Sequence, residues 1–257
     1  MKKPSTIFDP RAYWEERARQ FADSHAGWKA VCLRGAPDIY NRLIHRLQKR
    51  ALLQAARITE TGTCLEFGCG VGRWEESLSS RVKTICGIDI SSEMLSEAEE
   101  KLKAAGIENV QLCRFDGRRI PYQTDSFDLL FSVTVLIHII DPEILRGAIG
   151  EICRVTAPDG QILVLEGFRT GSAESPPHVR YRSEEYIADR FNENGWRLRS
   201  STPVYYRIPE ETRLGGRRHR ILFRLTAPYY YLLNSLNQSL RFSRRVPVQT
   251  LLEFCHD

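Results

Sequence analysis

The apolar positions in the first part of the chain recur with the period of an α-helix. In "FDPRAYWEERARQFAD", residues 8–23, the apolar side chains have helical spacing. A second helix is predicted over Ile39 to Ala56, where Leu43, Leu47 and Ala51 recur every four residues. We therefore expect two helices ahead of the first strand.

From residue 63 onward, short β-type runs alternate with helical stretches. The runs that predict strands are "TCLEFG", "KTICGID", "NVQLCRFD", "SFDLLFSV" and "GQILVLEGF". The stretches that predict helices are "RWEESLSSR", "SSEMLSEAEEKLKAAG", "PEILRGAIGEICRVTA" and "SEEYIADRFNENG". This alternation is typical of right-handed crossovers on a mainly parallel sheet.

Two further β-type runs follow with no helix between them. They are "WRLRSSTPVYY" and "HRILFRLTA", residues 196–206 and 219–227. We expect them to form an antiparallel hairpin at the edge of the sheet, with "RIPEETRLGGRR" as its long loop. The predicted fold is α/β, with seven strands that are mainly parallel, an antiparallel C-terminal hairpin and helices on both faces.

Three glycines follow the first predicted strand at alternate positions, in "LEFGCGVGRW". Ligands of open α/β sheets bind beyond the carboxyl ends of the strands, which is where Gly68, Gly70 and Gly72 lie. Glycine permits a tight turn and lets a ligand approach the backbone. Free N–H groups at the start of the next helix can hold an anion. Alone, this pattern also fits an ordinary turn or helix cap.

Acidic residues mark the first three strands near the same edge. Asp89 ends the second strand, where it can accept hydrogen bonds from a ribose diol. Asp116 follows the third strand, where it can accept from an adenine amino group, and Glu66 lies inside the first strand. Any one of these acids also fits a strand-end cap or a surface charge. The three together favour a nucleotide-like ligand.

Four stretches of this chain resemble the ordered motifs of class I S-adenosylmethionine-dependent methyltransferases. They are "LEFGCGVGRW", "GIDISSEML", "RFDGRRIPYQTDSFDLLFSVTVLIHI" and "RVTAPDGQILVLEGF". The resemblance covers Thr61 to Phe168, and Arg182 to Ala227 by topology. It implies a Rossmann-like fold with an N-terminal helical lid, S-adenosylmethionine as cofactor and S-adenosylhomocysteine as product. The motifs are specific to the superfamily and do not indicate the methyl acceptor.

The resemblance also assigns cofactor-binding roles along the first three strands. The implied residues are Glu66, Gly68, Cys69, Gly70, Gly72, Asp89, Ile90, Met94, Phe115 and Asp116. The glycine loop would wrap the methionine part of the cofactor, and Asp89 would hold its ribose. Phe115 and Asp116 would flank the adenine. Ile90 and Met94 would pack near the adenine, and Glu66 would order the loop and the amino-acid end.

A nicotinamide-dependent Rossmann enzyme is the rival interpretation of the glycine loop. Its fingerprint is G-x-G-x-x-G, with helix N–H groups that face a pyrophosphate. Here the third glycine comes one residue early, and the bulky Arg73 and Trp74 follow it. The sequence therefore favours adenosylmethionine.

The candidate catalytic residues lie after the later strands. Methyl transfer is an in-line displacement, so alignment supplies much of the rate, and a base is needed only for a protonated acceptor. His138 follows the fourth strand and is the candidate general base, although a histidine there also fits simple packing on the next helix. His178 is a second candidate, and Glu166 can orient an acceptor hydroxyl. The sequence has no metal-ligand pattern, so no metal is expected.

Two aromatic residues of the first helix, Tyr13 and Trp14, are predicted to lie in the N-terminal lid. In small-molecule members of the superfamily, aromatic residues there commonly close over the cofactor, so Tyr13 is counted among the cofactor-binding residues. Plain packing of the helix on the core is the alternative for both.

The expected function is transfer of a methyl group to an O, N or C atom of a small-molecule, glycan or lipid-linked acceptor. The alternatives are an RNA- or protein-directed methyltransferase, and an adenosylmethionine-binding protein with no methyl acceptor of its own. The fourth strand is followed by "SVTV" rather than [D/N]-P-P-[Y/F], and the Pro-Cys pair of cytosine C5 enzymes is absent. Nucleic acid is therefore the less favoured partner.

The basic residues are concentrated in the C-terminal part. Trp196 to Val246 contain eleven Arg against two acids, whereas the whole chain has a net charge of +5. Leu232, Leu233, Leu236 and Leu240 fall on one helical stripe beside these arginines. Three interpretations stay open: a helix packed on its own domain or on a homodimer partner, a peripheral membrane contact, and a surface for RNA or a phosphorylated glycan.

The predicted domains are an N-terminal helical lid and substrate region (1–57), a methyltransferase domain (58–227) and a basic amphipathic C-terminal extension (228–257). The seven cysteines form no CxxC pair, and the first ten residues have no apolar signal core. Both features favour a cytoplasmic protein with reduced thiols, with peripheral membrane contact as an option.

Overall fold

The computed structural model describes residues 8–22, 30–32, 36, 38–169, 175–206, 227–236 and 247–256. Its strands are β1 (Thr63–Phe67), β2 (Thr84–Asp89), β3 (Val110–Arg114), β4 (Phe127–Val133), β5 (Thr156–Glu166), β6 (Trp196–Tyr206) and β7 (Pro247–His256). They form one seven-stranded sheet in the order β3-β2-β1-β4-β5-β7-β6. β1 to β5 are parallel, whereas β7 is antiparallel to both β5 and β6. The predicted fold class is confirmed.

The helices are α1 (Pro10–Ala22), α2 (Asp38–Ala55), α3 (Arg73–Leu78), α4 (Ser92–Ala104), α5 (Pro142–Val155), α6 (Glu184–Asn192) and α7 (227–236). Two short 3-10 turns lie at Ser79–Arg81 and Leu136–His138. The starts of three helices have the expected caps. The side chains of Ser91, Asp141 and Ser183 accept backbone N–H bonds from the first turns of α4, α5 and α6.

The sheet is covered on both faces, as a parallel sheet requires. Ile162 and Val164 of β5 belong to the core on one face, with the apolar sides of α5 and α6. Leu163 and Leu165 belong to the core on the other face, with α2, α3 and α7. Because successive strand residues point to opposite faces, one continuous apolar run fills both cores.

The two N-terminal helices have different positions, which corrects the predicted boundary at residue 57. α1 packs on α4, where the carboxylate of Glu15 accepts the backbone N–H groups of Ser92 and Glu93 at 3.0 and 3.2 Å. α2 instead buries Leu43, Leu47 and further residues against the sheet. α2 is therefore a layer of the core, and only α1 lies where a lid was expected.

The position of the seventh strand was predicted wrongly. β6 pairs with Pro247–His256, from the stretch expected to be an extension, and this strand lies between β5 and β6. Residues 219–226 of the predicted strand lie outside the described residues, and Ala227 begins α7. Leu251, Leu252 and Phe254 are fully buried, so both faces of β7 contribute to the core. The methyltransferase fold therefore does not end at residue 227.

Candidate active site

A cavity of about 910 Å³ opens beyond the carboxyl ends of β1, β2 and β4. Most of the residues that the sequence assigned to a site line it, and the structure brings them together. These are Glu66, Gly68, Cys69, Gly70, Asp89, Ile90, Met94, Phe115, Asp116 and His138. Gly72 and Tyr13 were also predicted to bind cofactor and do not line the cavity.

The glycine loop is folded so tightly that side chains are excluded from two of its positions. Gly68 and Gly70 have φ angles of +80° and +53°. A Cβ atom at Gly68 would lie 2.5 Å from a methyl group of Val135, and one at Gly70 would lie 2.7 Å from a methyl group of Val31. The loop therefore presents bare backbone to the cavity.

Gly72 serves a different purpose from the other two glycines. It is the residue before α3, and a Cβ atom there would lie 3.1 Å from Cβ of Ala98 on α4. Its small size allows α4 to approach the loop from behind. The residue supports the loop and does not face the ligand space.

Asp89 joins the end of β2 to the glycine loop. Its Oδ2 atom accepts the N–H of Gly70 at 2.9 Å, and its Oδ1 atom accepts the N–H of Ser91 at 2.9 Å. Burial raises the pKa of this carboxyl, although the backbone hydrogen bonds oppose the shift. A carboxylate has about four lone-pair sites, so Asp89 can still accept hydrogen bonds from a diol in the cavity.

The next part of the cavity has the shape of an apolar slot with a polar rim. Met94 and Phe115 are buried, and the Phe115 ring meets the ring of Phe67 edge-on at 5.5 Å. Asp116 is exposed, and its Oδ1 atom accepts the N–H groups of Arg118 and Arg119. These hydrogen bonds lower the pKa of Asp116, which keeps a negative charge at the rim.

His138 lines the cavity from the 3-10 turn after β4. Its Nδ1 atom is 2.8 Å from the backbone carbonyl of His178, which can only accept, so Nδ1 carries the proton and Nε2 is left as an acceptor. Burial lowers the pKa of His138 to about 4. The imidazole is therefore neutral at physiological pH.

Two buried residues with ionisable side chains, Glu166 and Arg182, hold the turn that bears His138. Oε1 of Glu166 accepts the N–H groups of Val135 and Leu136 at 2.8 and 2.7 Å. The guanidinium of Arg182 donates to the carbonyls of Leu136 and Ile139 at 3.1 and 2.6 Å. Glu166 does not line the cavity, so its predicted contact with an acceptor hydroxyl is not supported. Both residues fix the position of His138 instead.

The two aromatic residues of α1 face different neighbours. Trp14 lines the cavity and meets the ring of His138 edge-on at 4.9 Å. Tyr13 stacks on His178 at 4.6 Å, one layer behind. Successive helical residues point about 100° apart, so only one of the two can face the ligand. Trp14, and not Tyr13, therefore lines the cavity.

Thr134 is a residue of the cavity that the sequence did not reveal. It has a φ angle of +56°, which is a strained conformation for a β-branched residue. Its N–H donates to the carbonyl of Leu165 at 2.7 Å, which holds the backbone in place. Such strain is concentrated at functional sites. Thr134 lies between the glycine loop and His138 in the chain and lines the same space.

Residues 64–160 match the family described as "Methyltransferase domain". These residues, which make up less than half of the chain, therefore form a methyltransferase domain. A demethylmenaquinone methyltransferase of Shouchella clausii is 28% identical over 136 residues, which cover 50% of this chain and 57% of that relative. The chain thus spans little more than half the length of this curated relative.

Solved structures with this fold cover more of the chain. The structure of DhpI with S-adenosylhomocysteine has a TM-score of 0.59 at 15% identity, and the match covers 99% of this chain and 98% of that one. The [4+2]-cyclase SpnF has a TM-score of 0.59 at 19% identity, over 83% of this chain and 79% of that one. Both likenesses show the fold, and since one neighbour is a cyclase, the fold alone does not identify the reaction.

The residues of this methyltransferase domain fit S-adenosylmethionine, the cofactor of its class. Gly68 and Gly70 form a cradle that any Cβ atom would fill. Asp89 has acceptor capacity where a ribose diol is expected. Glu66 is buried beneath the loop, and its Oε2 atom has no hydrogen-bond partner among the described residues. A cationic amino-acid end of the ligand would satisfy this oxygen.

Neither a metal centre nor a membrane span was found in the part of the chain that the structure describes. No group of three His, Cys, Asp or Glu side chains there could hold a metal ion. No described helix is long and apolar enough to cross a membrane.

Proposed function

We propose that this protein transfers the methyl group of S-adenosylmethionine to a small, largely apolar acceptor bound beside His138. The observation that carries the proposal is the continuity of the cavity. One space is lined beside β1 and β2 by the glycine loop and Asp89, and beyond β4 by His138. A ligand beside the glycine loop and a second molecule beside His138 would therefore be in contact.

The part of the cavity beside His138 has the chemistry of an apolar acceptor site. Its lining includes Trp14, Val135, Ile139, Ile140 and Ile144. Such side chains suit a planar or hydrocarbon-bearing molecule, with few polar groups to fix its orientation. The name of the Shouchella clausii relative makes demethylated quinols the first acceptors to test.

Bound adenosylmethionine supplies a methyl group that is activated on a sulfonium sulfur. The protein's part is to place the acceptor atom in line and to keep water out. Nε2 of neutral His138 would accept the proton of an acceptor hydroxyl as its oxygen is methylated, and S-adenosylhomocysteine would leave with the sulfur as a thioether. Glu166 and Arg182 hydrogen-bond the backbone of the turn that bears this imidazole.

Two alternatives have less support. An RNA- or protein-directed enzyme needs an acceptor site that suits a large polar substrate, whereas Trp14 of α1 and other apolar side chains line this cavity. A binding protein without an acceptor would have no use for an apolar space beside the cofactor end. A homodimer partner or a glycan acceptor has no specific support among the described contacts.

Labelled methyl transfer tests the proposal. The protein is incubated with methyl-labelled adenosylmethionine and either demethylated quinols, an apolar metabolite extract or total RNA. We expect label in a quinol or in an apolar small molecule and none in RNA. Label in RNA alone contradicts the proposal. Tight cofactor binding without transfer in any fraction supports the binding-protein alternative.

A further inference from the structure

Two buried carboxyl groups meet directly beneath the glycine loop. Glu66 of β1 and Gly87 of β2 are register partners on adjacent strands. The space that a side chain at Gly87 would occupy is taken by Glu75, which reaches in from α3. A Cβ atom on Gly87 would lie 2.5 Å from Oε1 of Glu75 and 2.9 Å from Sγ of Cys69. The glycine therefore makes room for the second acid.

The two carboxyls depend on each other for hydrogen bonding. Glu66 is 2% exposed and Glu75 is fully buried. Among the described residues, no N–H or O–H donor reaches either oxygen of Glu75 or the Oε2 atom of Glu66. Each carboxyl is left with the other as its available hydrogen-bond partner, across the space beside Gly87. A hydrogen bond between two carboxyl groups requires a proton on one of them.

The surrounding charges do not neutralise a doubly ionised pair. Arg73 and Lys101 are the cations that face it, and Asp89 adds a negative charge. The guanidinium of Arg73 lies over the Trp74 ring at 4.9 Å, and Lys101 is ion-paired with Glu76 at 2.6 Å. Cys69 contributes a buried thiol. Burial raises the pKa of both carboxyls, and the charge of Glu75 raises that of Glu66 further.

We propose that Glu66 and Glu75 share one proton while no cofactor is bound, and that the ammonium group of the cofactor's amino-acid end displaces it to solvent. Glu75 is then a positioning residue, which acts on the ligand through Glu66. Glu66 lines the cavity, so an ammonium group beneath the loop can reach its carboxyl. This inference rests on the proposed function, since it requires adenosylmethionine as the ligand.

The inference predicts how cofactor affinity depends on pH. The bound state carries fewer protons than the free state, so affinity rises with pH over the range in which the pair titrates. The slope is at most about tenfold per pH unit for release of one proton. A ligand that has the adenosine but lacks the ammonium group should show no such slope.

Calorimetry in buffers of different ionisation enthalpy measures the protons released on binding. The two probes are S-adenosylhomocysteine, which has the amino-acid end, and 5′-methylthioadenosine, which lacks it. On the full chain near neutral pH, we expect a large part of one proton to be released with the first and none with the second. Equal proton release by the two ligands would overturn the inference.

The variant Glu75→Gln separates the pair from other sources of protons. The carboxamide keeps the shape of the side chain and donates an N–H to Glu66, so no shared proton is needed. We expect S-adenosylhomocysteine to bind with little proton release and a flat pH dependence. Glu99→Gln is the matched control, because Glu99 is exposed on α4 and does not line the cavity, so it should leave proton release unchanged. If Glu75→Gln releases as many protons on binding S-adenosylhomocysteine as the wild-type protein does, the inference is also overturned.

The outcomes distinguish this inference from the proposed function. Binding of S-adenosylhomocysteine without proton release overturns the shared proton and leaves methyl transfer intact. Failure of S-adenosylhomocysteine to bind contradicts the proposed function itself. Circular dichroism checks the fold of Glu75→Gln, and if that variant does not fold, the comparison of the two ligands on the wild-type chain still decides.

Discussion

The carboxylate of Asp89 accepts the backbone N–H of Gly70 at 2.9 Å, and this bond joins two parts of the cofactor cavity. Asp89 ends β2, and Gly70 is the middle glycine of the loop after β1. The other oxygen of Asp89 accepts the N–H of Ser91, which caps α4. One side chain therefore sets the loop, the start of α4 and the ribose end of the cavity at once.

Asp89→Asn should weaken cofactor binding. In Asn, one of the two carboxylate oxygens becomes an NH2 group, which faces the N–H of Gly70 or of Ser91 and cannot accept it. The substitution also removes the negative charge that strengthens a hydrogen bond from a ribose hydroxyl. We expect a loss of about 1.5–3 kcal/mol in the affinity for S-adenosylhomocysteine, measured by calorimetry. Asp116→Asn is the control, since exposed Asp116 should cost less. Unchanged affinity in Asp89→Asn would place Asp89 outside the cofactor site.

His138→Phe tests the acceptor end of the cavity. The ring keeps its edge contact with Trp14, whereas the Nε2 acceptor is lost. We expect kcat with the identified acceptor to fall by about 10²–10⁴, the usual range for a general acid–base residue, while cofactor affinity is retained. His178→Ala is the comparison variant, because it removes the ring that stacks on His138 at 5.7 Å and keeps the backbone carbonyl that orients Nδ1. A kcat for His138→Phe equal to that of wild type would remove the residue from the mechanism.

The pKa of His138 also predicts a flat pH profile. Since this pKa is about 4, titration of His138 should not change the wild-type rate between pH 6 and 9.

Glu166→Gln should alter the pH dependence of stability. Burial raises the pKa of Glu166 from 4.5 to about 8, so the folded protein holds a proton that the unfolded chain loses above pH 4.5. The contribution of Glu166 to the free energy of unfolding is fully present below pH 4.5. It falls as the pH rises from 4.5 to about 8, by up to about 1.4 kcal/mol per pH unit. Glutamine keeps the acceptor for Val135 and Leu136 and does not titrate. The free energy of unfolding, measured by urea denaturation, should differ less between pH 5 and pH 8 in the variant than in wild type. An equal difference in the two proteins would show that Glu166 does not hold a proton in the folded state.

The residues of this site that could be predicted from the sequence are those whose positions follow from patterns within one strand, turn or helix. Gly68, Gly70, Asp89 and Asp116 line the cavity, as strand ends and glycine spacing predict. These signals are local, because a strand end and a helix start are coded within a few residues.

The parts that the sequence did not reveal depend on contacts between distant segments. Glu75 looks like a surface residue of a short helix, and only the register of Gly87 beside Glu66 shows that it is buried. Arg182 meets the turn of His138 from 44 positions away in the chain, an association that no local pattern indicates. β7 was missed because its apolar run was assigned to an amphipathic tail.

Leu252→Ala tests the corrected position of β7. Leu252 is fully buried between β5 and β6, so its truncation removes core packing on the sheet. We expect a loss of about 2–5 kcal/mol in the free energy of unfolding, measured by urea denaturation. Leu232→Ala is the matched control, since Leu232 is 56% exposed on α7 and should change stability little. Equal small effects of both variants would support the original interpretation of a C-terminal extension.

The exposed face of α7 tests the predicted membrane contact. Tyr229, Leu232 and Leu236 lie at the spacing of one helical face and are 59%, 56% and 40% exposed. The sequence around this helix is rich in arginine, which suits an anionic lipid surface.

We expect the protein to pellet with anionic vesicles. High salt should reduce the pelleting only in part, because salt screens the charges of arginine but weakens the burial of apolar side chains far less. Leu232→Glu with Leu236→Glu should abolish pelleting and spare cofactor binding, since neither residue lines the cavity. Pelleting of this double variant at the wild-type level would show that the apolar face of α7 does not contact lipid.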